Sequence, residues 1–272
     1  MEKVKEYFKT LPKRFFITAF SGMAQGLFVT LIAGTILGTI ATKIIGSGNY
    51  FGDTLTVIAN IAKSLMGAGI GVGIAYALGK NKLLVFSAAV AGMVGAFAEK
   101  LMAGEQIFTA ITLGAPGNPI GAYVATMLVV EIVGLYAGKT KLDILLVPLG
   151  SLLLSFAGVY VAYPFIWLIN QLGALIAMAT GITPFFMGII VSVVMGILLT
   201  MPTSSAAIWI TVSKAVIEAG GDNADYMLIA GGAATVGCAC HMVGFAVASF
   251  RENGWGGLDS QGIGTSMLQI PN

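Results

Sequence analysis

ILLVPLGSLLLSFAGVYVAYPFIWLINQLGALIAMATGITPFFMGIIVSVVMGILLTMPTSSAAIWITVS, residues 144–213, contains no Asp, Glu, Lys or Arg. A water-soluble domain cannot carry a surface of this kind. A transmembrane helix needs about 20 apolar residues, whereas a barrel strand needs roughly 10 in strict alternation, and this run is long and unalternating. A second uncharged run extends from Phe15 to Thr42. The remainder agrees: of 272 residues, 57% are hydrophobic and 10% charged, and the mean hydropathy is +0.92. These values predict an all-α, polytopic integral membrane protein with about seven or more transmembrane helices and some re-entrant or broken segments.

Apolar length and punctuation place the spans at 15–42, 55–79, 83–98, 119–138, 143–163, 183–201 and 226–249. Residues 1–14 read as an amphipathic cytoplasmic leader, and 15–272 as a single transmembrane domain. The leader carries Lys3, Lys5, Lys9, Lys13 and Arg14 before an apolar stretch too long for a signal core. Lys80 and Lys82 follow the second span, and Lys139 and Lys141 follow the fourth. Basic residues near span ends favour the cytoplasm, so the pattern predicts a multi-pass protein with its N-terminus inside. The net charge of +2, without a long basic run, argues against a nucleic-acid partner.

Three stretches do not suit plain up-and-down helices: residues 104–122 (GEQIFTAITLGAPGNPIGA), 202–217 (PTSSAAIWITVSKAVI) and 253–272 (NGWGGLDSQGIGTSMLQIPN). Irregular backbone is tolerated at membrane depth where it is buried in protein or lines a watery cavity, and transporters bind their solutes at such breaks. The Gly22/Gly26, Gly34/Gly38, Gly69/Gly73 and Gly134/Gly138 pairs have the spacing that lets helices meet closely in lipid. Those glycine-rich faces suggest a homodimer. The run GAGIGVG, 67–73, lacks both the spacing and the preceding strand of a dinucleotide fingerprint.

Candidate solute-binding residues sit on or beside the breaks. Pro202 favours a first helical turn, where the hydroxyls of Thr203, Ser204 and Ser205 join backbone N–H groups that the turn leaves free. The result is an uncharged cradle for a hydroxyl, phosphate or carboxylate. Asn118, between Gly117 and Pro119, offers donor and acceptor at a helix mouth. Glu131, placed near the middle of its span, requires a cavity, a partner or a proton. His241 lies within the last span, and Gln261 adds hydrogen-bonding capacity to the terminal loop. The set is rich in hydroxyls and amides, which suits a sugar or polyol. A single His makes a metal site improbable, and no cofactor motif occurs. Cys238 and Cys240 lack redox or zinc spacing and read as small packing residues.

SGMAQGLFVTLIAGTILG, MPTSSAA, GGAATVGCACHMVGFAVASFRENGWGGL and SQGIGTSMLQIPN closely resemble the phosphotransferase-system EIIC type 2 family, which includes perfringolysin regulator-like membrane proteins. The resemblance covers essentially the whole chain. It implies a multi-pass protein of the bacterial inner membrane, the IIC-like permease of a phosphoenolpyruvate-dependent sugar phosphotransferase system, dimeric like other EIIC proteins. Such a permease acts with separate IIA and IIB proteins, because no phosphoryl-carrying residue is evident here. Relatives continue past the equivalent of Pro271-Asn272, which implies a short or C-terminally truncated member. Two alternatives stand beside the permease: a non-transporting sensor or regulator, and a phosphorylation-independent transporter of a small organic acid.

Overall fold

The computed structural model describes residues 10–46, 48–102, 117–200, 205–264 and 266. Among them every regular element is helical and none is a strand. In chain order these are α1 (Thr10–Ile45), α2 (Tyr50–Ser64), α3 (Met66–Ala77), α4 (Lys82–Ala96), α5 (Ala98–Met102) and α6 (Pro119–Val133). Then follow α7 (Asp143–Ile182), α8 (Pro184–Thr200), α9 (Ser205–Ala219), α10 (Asp222–Ala248), α11 (Phe250–Asp259) and a π-helical turn at Ser260–Gly264. The protein is thus an all-α polytopic membrane protein.

Each of the seven expected spans holds a helix. Three helices, α1, α7 and α10, are long and apolar enough to cross a bilayer, and α2 with α3 makes a fourth if the pair, bent by 50°, is one broken span. α4, α6 and α8 are apolar but shorter. α6 stops at Val133, short of the expected 138, and α7 departs further from expectation. The helix expected at 143–163 continues through Pro164 to Ile182, a length of 40 residues. Away from water, neighbouring groups and small local adjustments accommodate a proline that would end a soluble helix. In the stretch 202–217, where a helix start is expected at Pro202, α9 runs from Ser205 to Ala219, and residues 202–204 lie outside those described.

Asparagines start three of the helices. Asn49, Asn81 and Asn118 accept from Gly52 N, Leu84 N, and both Ile120 N and Gly121 N, satisfying donors that the first turn leaves free. Pro119 follows Asn118 at the first helical position, where its missing N–H is harmless.

The chain forms two compact units, Met1–Trp167 and Leu168–Asn272. In the first, glycines set the helix spacing. A Cβ added at Gly26 would fall 2.6 Å from the Ile70 backbone nitrogen, and one at Gly22 would fall 2.9 Å from the Ile74 Cα. The two GxxxG pairs, 22/26 and 69/73, therefore face each other and bring α1 and α3 into backbone contact. The opposite side of α3 repeats the device: Gly67 meets Gly92 and Gly71 meets Ala88 on α4. Gly95 on α4 in turn meets Gly121 on α6. Gly34 and Gly38 pack on Ala59 of α2, but Gly134/Gly138 is not a packing pair. Gly134 lies beside Lys80, and Gly138 has φ +87° in a loop. Around these contacts Leu84, Ala91, Val129, Val133 and Val147 form an apolar cluster.

In the second unit, α8 and α10 meet where Gly237 abuts the Ser192 backbone. Ala177, Val191, Met195, Val216, Met227, Ala230 and Ala234 make its core.

Candidate functional site

In the first unit, α6 carries polar groups at both ends. Asn118 is buried, and besides capping the helix it donates its backbone N–H to Ala96 O at 2.6 Å. Glu131 stands two residues before the end of α6, about 20 Å from Asn118 at the helical rise of 1.5 Å per residue. The structure does not bring these two together. Glu131 accepts from Arg14 Nη2 at 2.7 Å, and both side chains are largely buried. It is therefore near a helix end and ion-paired, where the sequence suggested a mid-span position, because α6 stops at Val133. Beside this pair Tyr123 donates to Phe15 O at 2.7 Å and its ring lies 4.8 Å from that of Phe20, fixing α1 against α6.

Lys80 completes a charged cluster. It sits in the α3–α4 turn, against Gly134 in the turn after α6. Burial pushes its ammonium below the usual lysine range; Glu131 opposes that shift and Arg14 adds to it. The next connection closes onto the same place, since Gly138 lies against the Asn81 side chain. Asp143 organises that connection by accepting from Gly138 N and from the backbone and hydroxyl of Thr140. Three basic segments, around Arg14, Lys80 to Lys82 and Lys139 to Lys141, thus converge on one end of this unit.

In the second unit, His241 of α10 shares a 3.0 Å hydrogen bond between Nδ1 and Ser266 Oγ, and its ring lies 4.7 Å from that of Phe245. It borders a groove of about 310 Å³ lined by Cys240, His241, Gly244, Phe245 and Ala248. Gln261 is fully buried and accepts from Ser249 Oγ at 3.3 Å. Gly262 packs on Ala246. The contacts 249 to 261, 246 to 262 and 241 to 266 step backward along α10, so the terminal segment folds back on the helix it follows. The reversal passes Gly254, whose φ of +56° favours glycine.

Of the hydroxyl cradle, Pro202, Thr203 and Ser204 lie outside the described residues, and Ser205 opens α9. Cys238 and Cys240 are free thiols; Cys238 packs near Met195 O, while Cys240 is exposed at the groove. Among the described residues no three His, Cys, Asp or Glu side chains are grouped as metal ligands.

The family described as phosphotransferase system, EIIC, matches residues 17–272. The chain belongs to that family. No curated protein and no solved structure matches it. As an EIIC chain it is the membrane permease component of a sugar phosphotransferase system, and EIIC components work with separate IIA and IIB proteins and with sugar substrates.

Several groups in this EIIC chain escaped sequence reasoning. Arg14 is the last charge before the first apolar run, the natural cation for a carboxylate at a span end, but 117 positions separate it from Glu131. Ser249 and Ser266, which engage Gln261 and His241, carry no signal beyond their hydroxyls. Lys80 counted as a topology marker and not as a member of a cluster.

Proposed function

We propose that this EIIC chain translocates a sugar or polyol across the bacterial cytoplasmic membrane, with its N-terminus inside. In this reading it acts as a homodimer, and partner IIA and IIB proteins phosphorylate the solute. Convergence of three basic segments on one end of the first unit supports the orientation, because lysine and arginine at span ends favour the cytoplasmic side.

The observation that carries the solute assignment is His241 held by Ser266 at the edge of a groove of about 310 Å³. That volume is at the small end of ligand pockets, which run from roughly 300 to 1,000 Å³. An imidazole with one nitrogen engaged presents the other to a hydroxyl, and Phe245 supplies an apolar face. Pro202, Thr203, Ser204 and Ser205 are the second set of solute contacts in this reading, and Gln261 holds the terminal segment through Ser249. Glu131, tied to Arg14, is not included in this reading.

Uptake into proteoliposomes, with and without a phosphorylated IIB partner, across sugars, polyols and small organic acids, tests the proposal. The expected result is accumulation of a phosphorylated sugar or polyol that depends on IIB and is lost in His241→Ala. Binding of a solute without flux under either condition would replace the permease with a sensor, and IIB-independent uptake of an acid would replace the solute.

A further inference from the structure

The Arg14, Lys80 and Glu131 cluster has two cations and one carboxylate. Arg14 takes the carboxylate at 2.7 Å. Lys80 is half-buried, yet among the described residues its ammonium makes no hydrogen bond and no ion pair. A desolvated ammonium without an acceptor is unfavourable, and an anion that could reach it would relieve the deficit. Among the described residues the adjoining carboxylate, Asp143, is taken up by Gly138 and Thr140.

Exposed side chains close in sequence to Lys80 and to Gly134 narrow the anion. Tyr76 at the end of α3 is 74% exposed, and Leu135, next to the Gly134 that Lys80 touches, is 69% exposed. Ile132, one turn earlier on α6, is exposed as well. A free phosphate gains nothing from such surroundings, whereas a phospholipid places its headgroup on the cation and its chains along the apolar side chains. Lys82, Lys139 and Lys141 at the same end add attraction for a negative headgroup.

We propose that Lys80, with Arg14 beside it, forms a phosphate-binding site at the end of α3 and α6, and that an anionic phospholipid headgroup supplies the phosphate. The lipid packs its chains on Tyr76, Ile132 and Leu135 and ties α1, α3 and α6 together at that end. The site is separate from the His241 groove and does not depend on the identity of the transported solute.

Native mass spectrometry of the full chain in micelles containing both phosphatidylglycerol and phosphatidylcholine tests this. The wild type is expected to retain phosphatidylglycerol preferentially. Lys80→Gln is expected to lower that retention about fivefold, as fits the loss of one basic side chain at an anionic surface, while Lys80→Arg restores it. Lys43→Gln, near the other end of α1, is the control and is expected to change it little. Thermal unfolding in detergent with added phosphatidylglycerol or inorganic phosphate separates the two sources: protection by the lipid alone is expected, and it is lost in Lys80→Gln. Equal retention in Lys80→Gln and wild type overturns the site. An equal loss in Lys43→Gln overturns it in favour of diffuse surface charge. Protection by inorganic phosphate equal to that by the lipid overturns the lipid assignment.

Discussion

Substitution of Gly26 by alanine probes the backbone contact between α1 and α3. A new Cβ there would stand 2.6 Å from the Ile70 nitrogen, with the Gly69 carbonyl nearer still. Nonbonded carbon contacts prefer about 3.5 Å or more, so the helices must part by roughly 1 Å, and a gap of that size forfeits a quarter to a half of each dispersion contact along the seam. Nothing nearby can yield by rotating, because the obstructing atoms are backbone. Overpacking of this kind costs about 1–3 kcal/mol. Alanine is also the better helix former by up to about 1 kcal/mol, which masks part of the loss. Gly38→Ala supplies the reference, since its Cβ would meet only the Ala59 methyl at 3.5 Å, an ordinary contact. Unfolding by SDS from mild-detergent micelles, followed by circular dichroism, should place Gly26→Ala about 1–3 kcal/mol below Gly38→Ala. Equal stability of the two variants would refute the backbone contact.

Three further outcomes are expected. Arg14→Ala and Glu131→Gln should each destabilise by about 2 kcal/mol, as for a charged hydrogen bond, and the double variant should lose little more than either single one; strict additivity in the cycle would show that the two do not interact. Asn118→Ala should cost about 1 kcal/mol through loss of the α6 cap, with Asn118→Ser retaining most of it, and an unchanged SDS midpoint would contradict the capping geometry. In an otherwise cysteine-free chain, Lys139→Cys should react with membrane-impermeant maleimide only from the cytoplasmic side, and labelling of intact cells would invert the orientation.

Helix positions were legible in the sequence because lipid imposes one rule, a long apolar run closed by polar punctuation. The rule failed at Pro164, where punctuation that ends a helix in water leaves α7 intact. Glu131 announced that it needed a partner, yet which cation answered was set by the docking of α1 on α6 and could not be read along the chain. The four glycine pairs looked alike in sequence. Only their surroundings distinguish the 22/26 and 69/73 pairs, which face one another, from 134/138, which serves a turn and a lysine. His241 and Gln261 stood out by type, but their serine partners depended on the chain doubling back at Gly254.

A helix interface lined with leucine or methionine can shift a little at a time, because each side chain has alternative rotamers with which to follow the movement. The α1–α3 interface, and its continuation through α4 to α6, has few such adjusters at Gly22, Gly26, Gly67, Gly69, Gly71, Gly73, Gly92, Gly95 and Gly121. Sliding α1 along α3 by a single residue would set side chains against carbonyls, so the arrangement has an engaged setting and a parted one with no gradation between. In a permease, helices locked in this way resist sliding and act as a keel.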